Sequence, residues 1–197
     1  MFAELLATPG VVEEVELRGS IGFMAYHGGN LERVTDVVAR TAAEASGASF
    51  YAVCQPEGFR WHLPSITIGS QPSPALQDFV EHVDVAISIH GYGREGMWAS
   101  LLLGGQNRVL ASHVADCLRP ALGDYEILDD LEAIPKQLRG LHRHNPVNLP
   151  LSTGVQVELP PRVRGMGPRW ADAAPGELVP PTAALIDGLA EAARTWG

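Results

Sequence analysis

The sequence predicts an α/β fold in which an open mixed β-sheet carries helices on both faces. Apolar runs of strand-like composition alternate along the chain with segments of helical periodicity, which is the pattern of a layered α/β domain. The chain has 197 residues, enough for one full-sized core, and neither an internal repeat nor a linker divides it. We therefore expect a single domain over residues 1–197, with functional sites at the carboxyl ends of its strands.

Each element has a local signal in the sequence. Two β-rich segments, 11–19 and 21–29, precede a helix predicted over 30–47, which Asn30 begins as the N-cap and Gly47 ends. Six further elements follow in the order strand, helix, strand, strand, helix and strand, over residues 48–55, 73–83, 84–93, 97–105, 106–121 and 125–130. The last part is predicted as an amphipathic segment, a strand and a C-terminal helix, over residues 131–140, 155–160 and 181–195.

Composition and charge exclude several classes of function. The net charge of -9 disfavours a nucleic-acid binder, because affinity for phosphate backbones comes chiefly from clustered Lys and Arg. No apolar run approaches ~20 residues and the N-terminal segment does not resemble a secretory signal, so we expect a cytoplasmic protein with no membrane span. Cys54 and Cys117 lie in apolar stretches and are predicted to be buried free thiols.

Two histidines end apolar strands, and glycine follows each of them: His27 in "YHGG" and His90 in "IHGY". Neighbouring strand ends share one edge of a sheet, so the two imidazoles would meet in one crevice. Glu32, predicted in the first helical turn after Asn30, would point back toward the same edge. Taken singly, each of these residues fits an ordinary structural role. Together, two imidazoles and one carboxylate are the ligands of a catalytic zinc site, and we expect Zn²⁺ bound by His27, Glu32 and His90.

Glu158 is a second carboxylate of interest. In "GVQVELP" it alternates with apolar residues, so Gln156 and Glu158 project from one face of a strand. This face is either the wet side of an edge strand or the place of a general base that takes a proton from metal-bound water. His62 and His144 are candidates for the border of the same pocket.

Four segments, "MAYHGGNLERVT", "ISIHGYG", "LLLGGQNRVL" and "NPVNLPLSTGVQVELP", resemble the phage-type poly-γ-glutamate hydrolases, which are related in fold to the zinc carboxypeptidases. The resemblance extends from Ile21 to about Arg164. It implies a zinc carboxypeptidase-like core, zinc ligation by His27, Glu32 and His90, and Glu158 as the catalytic acid and base.

The resemblance also implies a substrate: a γ-glutamyl polymer or peptide, cleaved at γ-glutamyl amide bonds. A protein of net charge -9 must concentrate positive charge where it binds an anion. Arginine forks suit this task, and the single lysine, Lys136, stands isolated. The candidates for carboxylate binding are Arg94, Arg108, Arg162 and Arg164. Two alternatives stay open: a zinc amidohydrolase acting on another N-acyl amino acid or peptide, and a non-catalytic metal- or polymer-binding module.

Overall fold

The computed structural model, which describes residues 1–167 and 177–197, contains a seven-stranded mixed sheet with helices on both faces. The strands are β1 (Val12–Glu16), β2 (Ile21–Gly29), β3 (Ser49–Gln55), β4 (Val85–Gly91), β5 (Ser100–Leu103), β6 (Glu126–Leu128) and β7 (Gly154–Leu159). The helices are α1 (Phe2–Leu6), α2 (Thr35–Ser46), α3 (Ser65–Ser70), α4 (Pro74–His82), α5 (Arg108–Ala121) and α6 (Pro180–Thr195). The predicted fold class is confirmed.

The strand order β1-β3-β2-β4-β7-β5-β6 determines where a site can form. Four strands, β2, β3, β4 and β7, are parallel and adjacent in the middle of the sheet. β1 pairs antiparallel with β3, β5 pairs antiparallel with β7, and β6 runs parallel to β5. The carboxyl ends of β2, β4 and β7 therefore lie side by side at one edge, which is where open α/β sheets bind ligands.

Side chains of successive residues in a strand enter two different cores. In β2, Phe23 and Ala25 pack with α2, α5 and α6, whereas Met24 and Tyr26 pack with α1, α3 and α4. Because both faces of the sheet are covered, the central strands are apolar at almost every position rather than alternating. The two cores hold the carboxyl ends of the strands in fixed register.

The start of α2 differs from the prediction. Asn30 is not its N-cap, because its backbone N–H donates to the Gln55 carbonyl at 2.9 Å and extends the pairing of the strand ends. Gly29 and Val34 both have left-handed φ values, 66° and 77°, so the chain turns between them and the helix begins at Thr35. Glu32 consequently lies in this turn and not in the first turn of the helix.

Other expectations divide between confirmed and wrong. Gly47 ends α2 in the left-handed conformation, as predicted. The six-residue helix α3 was not predicted, and within the segment 131–140 the structure has a single 3-10 turn, Lys136–Leu138, which follows Pro135. Both cysteines are free, as expected, but half-buried rather than buried. Among the described residues, no helix combines the length and apolar character needed to cross a bilayer.

Candidate metal centre

The structure brings His27, Glu32 and His90 together at the carboxyl edge of the sheet. His27 Nδ1 lies 3.1 Å from Glu32 Oε1, and His90 Nδ1 lies 3.3 Å from Glu32 Oε2. His27 lies in a bulge of β2 between Ala25 and Gly28, which shifts the register of β2 against β3. His90 belongs to β4, the strand that pairs with β2 on its other side. One carboxylate therefore faces two imidazoles that come from different strands.

Backbone groups hold the Glu32 carboxylate in this position. The Glu32 N–H donates to the His27 carbonyl at 2.9 Å, and the Gly91 N–H donates to Glu32 Oε2 at 2.9 Å. Burial alone would raise the pKa of Glu32, but the nearby imidazoles of His90 and His27 outweigh it and hold the pKa well below its usual range. Glu32 is therefore an anion throughout the neutral pH range.

The second nitrogen of each imidazole is hydrogen-bonded on the opposite side. His27 Nε2 lies 2.8 Å from the Leu63 carbonyl, and His90 Nε2 lies 2.8 Å from the Tyr26 hydroxyl. A carbonyl can only accept, so His27 Nε2 carries a proton. Histidines that bind metals commonly donate their second ring N–H in this way, which orients the lone pair of the other nitrogen. In both rings that other nitrogen, Nδ1, faces Glu32.

The donor set fits a zinc ion. Two ligand atoms bound at ~2.0–2.1 Å to a tetrahedral zinc lie about 3.3 Å apart, which matches the two Nδ1-to-carboxylate distances. Among the described residues, His27, Glu32 and His62 have ligand atoms that all lie within 4.8 Å of one another, and this group does not include His90. The rings of His62 and His27 are 4.7 Å apart. His62 was predicted only as a border residue, so the structure adds a fourth side chain to His27, Glu32 and His90.

Glu158 lies directly beside His90, because the two residues are register partners on β7 and β4. β7 is an interior strand, so the alternative that Glu158 faces water from an edge strand is wrong. Its carboxylate is buried and accepts a hydrogen bond from Gln156 Nε2 at 2.8 Å. The pKa of Glu158 is raised from 4.5 to about 7: burial is the largest cause and Glu32 adds to it, while His90, Gln156 and Arg164 oppose the increase.

A cavity of about 790 Å³ opens over these side chains. Lys136, Arg139 and His142 contribute to its wall. The description of Lys136 as isolated is therefore wrong: its 3-10 turn brings it to the site, although nothing in the local sequence indicates this. His144, one of the two predicted border histidines, does not line this cavity; it is half-buried, with Nδ1 3.0 Å from Ser70 Oγ.

Of the four arginines predicted to bind substrate, the structure brings Arg164 to the site. Its guanidinium is buried and donates to the carbonyls of Arg33 and Tyr92, at 3.1 and 3.2 Å. Arg164 lines a second cavity, of about 380 Å³, together with Arg33, Arg60 and Glu32. The two cavities share Glu32 and Tyr92, so cations lie on both sides of the candidate metal position.

The other three arginines lie elsewhere. Arg108 follows β5, which runs antiparallel to β7, so it is at the opposite edge of the sheet. Its guanidinium donates to the backbone carbonyls of Leu103, Gly104, Gly105 and Asp129. The Arg162 guanidinium lies 5.7 Å from the centre of the Tyr125 ring. Arg94 is exposed in the loop after β4 and is not among the described residues that line either cavity.

Comparison with known proteins identifies the family. The model of the family described as poly-gamma-glutamate hydrolase matches residues 3–166. The chain belongs to the poly-gamma-glutamate hydrolase family. This membership makes it a hydrolase and confirms the resemblance found in the sequence.

Two solved structures share the fold of this poly-gamma-glutamate hydrolase family member. A bacteriophage poly-gamma-glutamate hydrolase superposes with a TM-score of 0.77 at 21% identity, covering 93% of this chain and 87% of the other. A structure described as YNDL-apo (Zinc-free) superposes with a TM-score of 0.66 at 22% identity, covering 79% of this chain and 74% of the other. No curated protein matches the chain. These superpositions confirm that the chain shares the fold of a poly-gamma-glutamate hydrolase, while the roles of individual site residues stay predictions.

Proposed function

We propose that this poly-γ-glutamate hydrolase family member is a zinc-dependent amidohydrolase that cleaves γ-glutamyl amide bonds in a peptide or polymer. The observation that carries the proposal is the pair of imidazole Nδ1 atoms on one carboxylate, with a buried glutamate on the adjoining strand. The comparisons support it, since one structural neighbour is a hydrolase of poly-γ-glutamate and the other is described as zinc-free.

His27, Glu32 and His90 would hold the ion, and His62 is near enough to join them. A bound zinc ion would lower the pKa of a water molecule to about 7 and polarise the scissile carbonyl. The protein's own contribution is to fix the donor atoms. Glu32 is anchored by the Gly91 N–H, and each histidine is anchored through its Nε2 atom.

Glu158 would act as the general base and then as the general acid. It is buried next to His90 and lines the larger cavity, so it would face a water molecule bound over the site. A carboxyl group with a pKa of about 7 is basic enough to take a proton from the attacking water and acidic enough to return it to the leaving amine. Catalysis gives this buried carboxylate a role that metal binding alone does not require.

Positive charge around the two cavities would bind the substrate carboxylates. Arg164, Arg33 and Arg60 line the smaller cavity, and Lys136 and Arg139 line the larger one. A γ-glutamyl chain carries one free α-carboxylate per residue, so a chain lying across the metal position presents carboxylates to both groups. Guanidinium forks bind such carboxylates through paired, charge-assisted hydrogen bonds.

A zinc amidohydrolase acting on another N-acyl amino acid or peptide would use the same ligands and the same base. The two hypotheses differ only in which substrate the cation-lined walls of the cavities bind. A non-catalytic metal- or polymer-binding module is disfavoured by the buried Glu158. Location in the cytoplasm stays a prediction.

The test is metal analysis of the purified protein, followed by hydrolysis assays on matched γ-linked and α-linked glutamate oligomers. We expect about one zinc per chain, loss of hydrolysis with a chelator, recovery with added zinc, and preference for the γ linkage. Activity that survives complete metal removal would refute zinc dependence. Equal rates on both linkages, or equal hydrolysis of a neutral acyl-amide, would favour the alternative amidohydrolase.

A further inference from the structure

A continuous chain of hydrogen bonds joins His90 to Glu158 through the protein interior. His90 Nε2 lies 2.8 Å from the Tyr26 hydroxyl, which donates to Asn145 Oδ1 at 2.9 Å. Asn145 Nδ2 donates to Gln156 Oε1 at 2.7 Å, and Gln156 Nε2 donates to Glu158 Oε1 at 2.8 Å. All five side chains are buried. The relay formed by Tyr26, Asn145 and Gln156 thus links a candidate metal ligand to the candidate base.

Groups that can only accept set the direction of this relay. Gln156 Nε2 lies 3.3 Å from the Leu138 carbonyl, so the amide oxygen of Gln156 must face Asn145. Asn145 Nδ2 therefore donates to that oxygen, which leaves Asn145 Oδ1 to accept the single proton of the Tyr26 hydroxyl. Because this proton is already used, the hydroxyl oxygen accepts from His90 Nε2–H. Every donor in the relay points from His90 toward Glu158.

We propose that Tyr26, Asn145 and Gln156 are positioning residues that orient the metal ligand and the base at the same time. At one end, the Tyr26 hydroxyl holds His90 as the Nε2–H tautomer, so the lone pair of Nδ1 faces the metal position. At the other end, Gln156 occupies Glu158 Oε1 and leaves Oε2 to exchange the proton. This inference rests on the proposed function, which supplies the roles of the two end residues.

Removing any member of the relay should lower the stability of the folded protein. The side chains of the relay are buried, so removing one member leaves a buried polar partner without its hydrogen bond inside the protein. A purely structural network would respond to any such loss with lower stability alone. A positioning relay predicts different functional losses at its two ends, and this difference is what the experiment measures.

The experiment compares Tyr26→Phe and Gln156→Met, which remove hydrogen-bonding atoms at opposite ends of the relay with little change in volume. Tyr51→Phe is the matched control, because Tyr51 is also a buried tyrosine of the sheet, but its hydroxyl donates to Glu13 Oε1 at 2.7 Å. Zn²⁺ affinity is measured by competition with a chelator, and kcat and KM are measured on a γ-glutamyl oligomer. Thermal unfolding identifies variants that fail to fold.

We expect Tyr26→Phe to weaken Zn²⁺ binding by ~10–100-fold, as loss of a hydrogen bond to a ligand histidine typically does. Gln156→Met should keep its Zn²⁺ affinity within about twofold of wild type and lower kcat by ~10-fold or more, with KM unchanged. Tyr51→Phe should change neither quantity. Wild-type Zn²⁺ affinity in Tyr26→Phe, or equal loss of affinity in both relay variants, would overturn the proposal.

A second measurement needs no substitution. The imidazole ¹⁵N chemical shifts of the metal-free wild-type protein, recorded where His90 is neutral, report which ring nitrogen carries the proton. The relay requires the Nε2–H form, and a predominant Nδ1–H form would refute it even if Tyr26→Phe were to unfold. Failure of the proposed function looks different, because the wild-type protein would then neither bind Zn²⁺ nor cleave γ-glutamyl bonds.

Discussion

Replacing Glu158 with glutamine separates the chemical role of this carboxylate from its cost to folding. Burial raises the pKa of Glu158 from 4.5 to about 7 in the folded, metal-free chain. The folded state therefore binds this proton more tightly than the unfolded chain does. Consequently, the free energy of unfolding decreases as the pH rises from about 4.5 to about 7 and stays reduced above that range. At ~1.4 kcal/mol per pKa unit, the ionised carboxylate costs ~3 kcal/mol above pH 7.

Glutamine occupies the same volume and does not ionise, so Glu158→Gln lacks this cost. Urea unfolding of the metal-free proteins should show similar stabilities at pH 4 and a variant that is more stable than wild type by up to ~3 kcal/mol at pH 8. A difference that is the same at both pH values, or a variant less stable than wild type at pH 8, would refute the burial argument.

The same substitution should remove catalysis without removing the metal. An amide cannot take a proton from water, so kcat should decrease by ~10²–10⁴-fold while the zinc content is unchanged. Glu95→Gln, which alters an exposed carboxylate in the loop after β4, controls for the loss of one negative charge. Zinc loss in Glu158→Gln would mean that Glu158 is a ligand or a structural residue rather than the base.

Three further predictions address the ligands, the substrate and the fold. His90→Ala should lose bound zinc and activity together, since it removes a donor atom. Metal analysis and kinetics on the same preparation check this, and retained zinc would contradict it. Arg164→Ala should raise KM for γ-glutamyl oligomers by ~10-fold with zinc unchanged, whereas Arg94→Ala, in the exposed loop, should leave KM unchanged; equal effects of the two would argue against Arg164 as a carboxylate ligand. Gly29→Ala should destabilise the protein more than Gly58→Ala in denaturant unfolding, by several kcal/mol against ~1 kcal/mol. Both glycines have left-handed φ values, but a Cβ at Gly29 would lie 2.3 Å from the Gln55 carbonyl oxygen and one at Gly58 meets nothing within 4 Å.

The sequence predicted the parts of the site that depend on strand ends. His27 and His90 could be paired because each ends an apolar strand, and parallel strands place their carboxyl ends at one edge. The position of Glu158 beside His90 follows from the strand order, which periodicity does not reveal. The sequence alone therefore leaves open whether the strand that carries Glu158 is an edge strand or an interior strand. The resemblance to a family supplied the role that the local pattern could not.

The residues missed by the sequence prediction lie in loops whose path depends on distant contacts. Lys136 reaches the larger cavity because its turn packs over the site, and a local helical pattern gives no sign of it. Asn145 resembles an ordinary turn residue, and indeed its side chain accepts from the Val147 N–H at the start of a 3-10 turn. Its side chain also bonds to Gln156, 11 positions away, and to Tyr26, 119 positions away, and the bond to Tyr26 has no local signal in the sequence.

The distribution of charge explains why substrate identity is harder to infer than the chemistry. With a net charge of -9, the protein repels a polyanion at long range, so binding must come from short-range contacts inside the cavities. Arg164 is the strongest candidate for such a contact, because its guanidinium is buried and donates to the backbone carbonyls of Arg33 and Tyr92. Added salt screens the long-range repulsion more than it weakens a desolvated ion pair, so KM for a γ-glutamyl substrate should decrease between low and moderate salt. The net charge of the protein does not repel a neutral acyl-amide, so KM for that substrate should not change with salt. The salt dependence of KM therefore distinguishes the two substrate classes without any substitution.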